Sequence, residues 1–239
     1  MNPTGIAPVL TLALIAINAF VFFAVQPQEA TEADRFAYQY AAIACELTTG
    51  VPLDATEVKT ETCADGPTSA DEVFPDKNVY LAVITSMFLH GGLLHVLGNM
   101  WFLWIFGNNI EEAFGRAGFL LMYLASGLVA TAGFVLLNTD SAIPLIGASG
   151  AVAGIMGSYL VLFPTHRVLT IIFFVMVGVP SMIFLGIWFL GQFALVGGDS
   201  NIAWEAHVFG FLFGVLLTLP IRGALLRRTN EGRAATLSF

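Results

Sequence analysis

The sequence predicts an all-α, polytopic membrane protein: a bundle of six membrane-spanning helices with one long polar loop. Of its 239 residues, 57% are hydrophobic and 11% are charged, where a soluble domain carries about a quarter charged residues. The mean hydropathy is +0.81. Apolar stretches long enough to be candidate spans fall at 5–25, 83–107, 117–137, 147–163, 168–196 and 204–221.

The first stretch, Gly5 to Val25, is preceded only by Met1-Asn2-Pro3-Thr4. A secretory signal would carry a basic segment there, so this stretch reads as a retained first span. The polar loop at 26–80 holds eleven of the 17 acidic residues, from Glu29 to Asp76 and including Asp65 and Asp71. An acidic patch of this kind disfavours nucleic acid and reads as a solvated outer face. Within it, Ala30 to Leu47 mixes Phe36, Tyr38, Tyr40 and Ile43 with charges and predicts an interfacial helix. Residues 48–79 are rich in Thr, Asp, Glu, Pro and Gly and read as irregular. Cys45 and Cys63 both lie in this loop. In an oxidising compartment they would form a disulfide worth about 3 kcal/mol; otherwise they are two free thiols. Two cysteines are too few for a structural zinc site.

The remaining loops are short, at 108–116, 138–146, 164–167 and 197–203, and the tail 222–239 is polar and basic. Arg116, Arg167, Arg222, Arg227, Arg228 and Arg233 follow the second, fourth and sixth stretches, whereas the long loop holds only Arg35, Lys59 and Lys77. The positive-inside rule then puts both termini in the cytoplasm and the acidic loop outside. The resulting division is a first span at 1–25, an extracytoplasmic loop at 26–80, a core of five further spans at 81–221 and a cytoplasmic tail at 222–239, in a prokaryotic cell membrane.

Depth gives a first indication of chemistry. From Ser149 to Phe163 a helix rises about 22 Å, short of a hydrocarbon core of about 30 Å. If Pro164 marks its cytoplasmic end, Ser149 opens the helix several Å below the outer surface, after a non-helical run through Pro144 and Gly147 that protein or water must cover. His207, 13 to 15 residues above Pro220 to Arg222, reaches about the same level. Polar side chains at that depth are costly and mark function. Small residues at Gly150, Ala153, Gly154 and Gly157, and at Ala206, Gly210 and Gly214, suit a close approach of the two helices, although such patterns also serve generic packing. His95 and Asn99 share one face of the second span at i and i+4, near the same layer. Their N–H groups suit a developing oxyanion, or else interhelical packing.

With these residues in view, the chain resembles the rhomboid family of intramembrane serine proteases. The resemblance rests on Met87-Phe88-Leu89-His90-Gly91-Gly92, His95 with Asn99, Gly147-Ala148-Ser149-Gly150, Ala206-His207 followed by Gly210 and Gly214, and the turn at 107–115. It covers about 80–221. It implies a rhomboid-like bundle in which Ser149 is the nucleophile and His207 its general base, without an acidic third member. It further implies an oxyanion hole of His95, Asn99 and the Ser149 N–H, with Glu111 as a structural anchor. The side where a substrate helix enters would be formed by the fifth span with Trp188, Phe189 and Gln192. The expected substrates are single-span membrane proteins within the lipid bilayer, with no cofactor, metal or nucleic acid, and oligomeric state is not legible. Three departures stand out. The Trp-Arg pair before the second span is replaced by Leu81-Ala82, an aromatic expected four residues after the nucleophile is Ala153, and the acidic two-cysteine segment has no counterpart.

Other classes are weaker. A helix-binding pseudoprotease would lack the serine or histidine. A transporter would show intramembrane acids or broken repeats. A metalloprotease built on His90, His95 and His207 has no HExxH motif. His166, beside Arg167 in an inner loop, reads as plain surface.

Overall fold

The computed structural model describes residues 4–64, 72–172, 174–194 and 202–237. Asp65, Asp71 and most of the expected loop at 197–203 lie outside them. The fold is mostly helical, with two small antiparallel sheets that an all-α reading does not anticipate.

Helix α1 (Val9–Phe20) runs on as one π-helical turn, Val21–Val25. Its two ends are fixed by side chains from elsewhere. At the N-terminus the orphan N–H groups of Leu10 and Thr11 donate to Glu111 at 3.0 and 2.8 Å, and the Thr11 hydroxyl adds a third bond at 2.8 Å. Gly5 N–H donates to Glu112 at 2.7 Å. A carboxylate from a distant element thus caps the positive end of the helix, which gives Glu111 the anchoring contacts that the resemblance implies. Past the other end, Gln26 accepts from His90 N–H and donates to His90 C=O, at 2.9 and 3.1 Å.

The long polar loop is a folded module. The expected interfacial helix is shorter, α2 (Ala30–Tyr40), capped by the Glu29 side chain. The chain then pairs as β1 (Ala42–Ile43) and enters α3 (Ala44–Thr49). The stretch expected to be irregular contains α4 (Ala55–Thr60), which a capping box starts: Asp54 accepts from Glu57 N–H while Glu57 accepts from Asp54 N–H. Cys45 and Cys63 are joined in a disulfide. Beneath them Glu46 and Lys77 form a 2.5 Å ion pair whose side chains are 3% and 1% exposed. Lys77 also donates to Tyr38 C=O at 2.6 Å and Glu46 accepts from Leu53 N–H at 3.2 Å. Burial pushes the Glu46 carboxyl up and the Lys77 ammonium down, and their mutual attraction opposes both shifts.

The second expected span, 83–107, is divided. Only α5 (Ala82–Ser86) belongs to its start; a non-helical run through His90 follows, and α6 (Leu93–Leu137) begins after Gly92. The expected loop at 108–116 is also corrected. The helix continues through it and breaks sharply at Gly115, whose φ of 73° and ψ of 165° lie outside helical space. The Arg228 side chain packs against Gly115 and donates to Phe114 C=O at 2.9 Å.

After α6, β2 (Pro144–Leu145) pairs antiparallel with β1, Ala42 against Leu145 and Ile43 against Pro144. Helix α7 (Ser149–Leu162) follows. The expected fifth span, 168–196, is half right. Its first part, a β-branched run around Val168, Thr170, Val175, Val177 and Val179, folds as a hairpin of β3 (Arg167–Ile172) and β4 (Val175–Pro180). Only α8 (Ser181–Phe193) is helical, beginning just after Pro180. Helix α9 (Trp204–Thr218) passes through a 3-10 turn into α10 (Arg222–Leu237).

The surface is inverted relative to a water-soluble protein. Leu94, Trp101, Leu121, Leu136, Ile187, Leu190 and Leu216 are exposed, whereas Asn109, Glu111, Ser126, Ser158 and Thr218 are buried. That arrangement suits a hydrocarbon surrounding. By length and composition, Leu93–Leu137 and Trp204–Asn230 suffice to cross a bilayer; Val9–Val25, Ser149–Leu162 and Ser181–Phe193 are shorter apolar helices.

The tightest contact is between α7 and α9. A β-carbon on Gly210 would overlap the Gly150 carbonyl oxygen, one on Gly214 the Gly154 carbonyl oxygen, and one on Gly157 the Phe211 carbonyl oxygen. The small-residue spacing therefore serves direct backbone contact. Farther along, Ser158 Oγ lies 2.6 Å from Thr218 Oγ1 and donates to Gly214 C=O at 3.1 Å.

Two predictions follow from this packing. Gly214→Val forces the two backbones apart and should destabilise the fold by about 1–3 kcal/mol or more, read as a lower thermal midpoint in detergent; an unchanged midpoint contradicts the contact. Lys77→Met strands a buried carboxylate and should cost the polar module about 3–5 kcal/mol, whereas the double change Lys77→Met with Glu46→Met restores much of it. Hydrogen exchange across 42–61 measures both.

Candidate active site

Ser149 is the first residue of α7, so its N–H is one of the helix-start donors without an intrahelical acceptor. His207 lies in the first turns of α9. The glycine contacts between these helices bring the two side chains together: His207 Nε2 is 2.8 Å from Ser149 Oγ. Both are partly exposed, as a reagent's access requires.

The tautomer of His207 follows from its other nitrogen. Nδ1 lies 2.7 Å from Gln192 Oε1, on α8. The amide orientation is fixed in turn, because Gln192 Nε2 donates to Trp188 C=O at 3.0 Å. A carbonyl oxygen only accepts, so Nδ1 carries the hydrogen and Nε2 offers its lone pair to the serine hydroxyl. The Trp188 ring stands 6.0 Å from the His207 ring at 37° and packs on Phe211. With Ala153 fully buried and too small to reach, aromatic support for the histidine comes from α8.

His95 is oriented by the same logic. Its Nδ1 accepts from Gly91 N–H at 3.3 Å, which leaves Nε2 as the donor. A β-carbon on Gly147 would sit 2.8 Å from His95 Nε2 and 3.4 Å from Ser149 Oγ. That point therefore lies within reach of both the Ser149 hydroxyl and the His95 N–H, and only glycine leaves it open. Gly147 also adopts φ 127°, a conformation side chains disfavour. Asn99, one turn along α6 from His95, is 7% exposed and its Nδ2 has no hydrogen-bond partner among the described residues. A buried amide donor left unpaired is costly and is available to a negative charge formed during reaction.

The strand leading into Ser149 is held by the polar module. Beyond the β1–β2 pairing, Cys45 N–H donates to Ser141 C=O at 3.0 Å, Cys63 N–H to Asp140 C=O at 2.8 Å and Ala142 N–H to Glu61 C=O at 3.1 Å. Ser86 links both sides: its hydroxyl oxygen accepts from Ala42 N–H at 2.5 Å and its carbonyl from Gly147 N–H at 3.0 Å.

Sequence reasoning placed Ser149, His207, His95 and Asn99 in one layer but missed the contacts of Gly147 and of Gln192 with the histidines. Gly147 was visible as the first residue of the small-residue motif; no spacing rule announces Gln192, which reaches His207 from another helix. His90 packs edge-on to His95 at 5.1 Å. His166 is not plain surface: its ring stacks on Phe163 at 4.7 Å and its Nδ1 lies 3.2 Å from the Tyr159 hydroxyl.

Comparison with known proteins identifies the family. The Rhomboid domain profile matches residues 77–224. The chain is similar to YdcA of Bacillus subtilis, with 32% identity over 57% of this chain and 64% of that one. It is similar to the rhomboid protease GluP of the same organism, with 31% identity over 61% and 28%, and to the mitochondrial RHOMBOID-like protein 12 of Arabidopsis thaliana, with 31% identity over 61% and 47%. The alignments thus span less than two thirds of these relatives. With the profile covering more than half of the sequence, the chain belongs to the rhomboid family and is an integral membrane protein.

Proposed function

We propose that this chain is an intramembrane serine endopeptidase with a Ser149–His207 dyad. The observation that carries the reading is the 2.8 Å contact between Ser149 Oγ and His207 Nε2, the nitrogen that the Gln192 contact leaves free to accept. In the proposed reaction Ser149 Oγ attacks the scissile carbonyl as His207 Nε2 takes its proton. The oxyanion is met by His95 Nε2–H, Asn99 Nδ2–H and the Ser149 N–H. His207 then gives its proton to the leaving amine, and water, deprotonated by the same nitrogen, cleaves the acyl ester and returns the proton to Ser149.

The proposed setting is a prokaryotic cell membrane crossed six times: by α1, by the two limbs of α6 on either side of Gly115, and by α7, α8 and α9. The termini face the cytoplasm and the acidic module faces out. Support comes from the arginines, since Arg222 donates to Val161 C=O at the end of α7 and Arg228 to Phe114 C=O at the α6 break, which gathers these cations at one end of the bundle. Helix α7 has 14 residues, about 21 Å of rise, so a nucleophile at its start is recessed from the outer surface. The proposed substrates are single-span membrane proteins cut near the outer face. Their helix must unwind at the cut, because a regular helix hides its carbonyls, so glycine or other helix-weakening residues are expected there.

The deciding experiment labels the full chain in detergent with a fluorophosphonate and incubates it with a single-span substrate. Labelling and cleavage are expected in the wild type and lost in Ser149→Ala; labelling that survives that change sinks the nucleophile assignment, and binding without cleavage by the wild type indicates a helix-binding protein instead. His207→Ala should slow cleavage at least about a thousandfold. Asn99→Ala should lower kcat about 100- to 1,000-fold, and Gly147→Ala should abolish labelling by filling the space between His95 and Ser149. Wild-type kinetics in either variant would remove that group from the oxyanion site.

A further inference from the structure

The contact between Gln192 and His207 points beyond the dyad. We propose that Gln192 is the positioning residue for His207, its carbonyl oxygen holding the imidazole in the one tautomer and ring orientation that can take the Ser149 proton. The inference rests on the serine-protease reading above and names a third member of that site.

Gln192 is 7% exposed and both ends of its amide are used. Rotating the amide by 180° would set its oxygen against the Trp188 carbonyl and its N–H₂ against His207 Nδ1, which would reverse the tautomer and leave Nε2 protonated toward Ser149. The hydrogen bond to Trp188 makes the productive orientation the satisfied one. As His207 becomes an imidazolium during attack, its Nδ1–H still donates to the same oxygen, now as a charge-assisted bond. Gln192 thus orients the base before the step and stabilises it during the step, without exchanging a proton.

The groups around the ring leave this role to Gln192. Helices α7 and α8 carry no acidic or basic side chain. From α6 the His95 ring faces the same space as Ser149, across Gly147. Its Nδ1 is already committed to Gly91 N–H. Glu205 lies on the first turn of α9 itself. Ser149 occupies Nε2, and among the described residues the partner of Nδ1 is Gln192.

The test compares wild type, Gln192→Leu, Gln192→Glu and Ser149→Ala as full chains in proteoliposomes, measuring kcat, KM and the pH dependence of kcat/KM on one single-span substrate, with thermal midpoints alongside. Gln192→Leu is expected to lower kcat about 10- to 100-fold with KM nearly unchanged. Gln192→Glu places a carboxylate on Nδ1, which favours the imidazolium. A base must be neutral to act, so the acid limb of the profile should move to higher pH by about 1–3 units, with activity recovered above it. A merely structural glutamine would move the midpoint but not the acid limb. Wild-type kcat in Gln192→Leu, or an acid limb unmoved in Gln192→Glu, overturns the inference while leaving an active, Ser149-dependent enzyme. A wild type that does not cleave, or a Ser149→Ala variant that does, overturns the protease reading and the inference with it.

Discussion

The site depends on one contact, the backbone approach of α7 and α9 through Gly150, Gly154 and Gly157 on one side and Gly210 and Gly214 on the other. Side chains on a helix surface normally hold helix axes 8–10 Å apart, and removing them lets carbonyl oxygens and α-carbons touch. Ser149, the proposed nucleophile, sits one residue before the first of these glycines and His207, the proposed base, three residues before Gly210. Their separation is therefore set by backbone contact, which cannot relax by rotamer change. In hydrocarbon there is no hydrophobic drive to push helices together, so close packing and the Ser158–Thr218 hydroxyl pair must supply the attraction.

The other wall of the site is positioned by polar groups that the bundle hides from lipid. Glu111 caps α1, Gln26 ties the far end of α1 to His90, and Ser86 bridges β1 to the loop carrying Gly147. These bonds run between segments far apart in sequence, and they fix a non-helical stretch that lipid could not solvate. The polar module continues the same role. Its disulfide joins Cys45, bonded to Ser141, with Cys63, bonded to Asp140. The acidic loop thereby becomes a clamp on the run from Asp140 to Gly147, and the segment entering Ser149 is held on both sides.

Much of the helical core was legible because it is governed by local rules. Hydropathy located the stretches, and helix rise alone brought Ser149 and His207 to one level. What was not legible depended on tertiary partners. Gly115 reads as a loop residue, yet the helix continues to it because α10 and Arg228 cover the break. The run from Val168 to Val179 is apolar enough for a span, but its β-branched residues pair as a hairpin. The Asp54–Glu57 capping box lies in a stretch otherwise rich in turn-forming residues, which reads as irregular. Ala153 signalled that an aromatic was missing beneath His207; that Trp188 and Gln192 would replace it from another helix depends on how α8 docks.

Among the described residues the partner of His207 Nδ1 is a neutral amide and not a carboxylate, and this has a physical reason in this setting. A carboxylate on Nδ1 would strengthen the base, but an isolated charge in an apolar bundle carries a desolvation penalty of several kcal/mol. Neither α7 nor α8 supplies a cation to offset it. A glutamine provides the same acceptor oxygen with no net charge, and its remaining N–H finds the Trp188 carbonyl one helical turn away. The site gives up basicity and keeps orientation. Orientation is the harder requirement here, since Ser149 and His207 come from separate helices and the small Ala153 cannot stack beneath the ring. In the proposed reaction the burden on His207 is shared by the donors across the cleft, because each hydrogen bond strengthens as water is excluded. A neutral hydrogen-bonded pair with preorganised donors is thus the arrangement that a charge-poor bundle can hold.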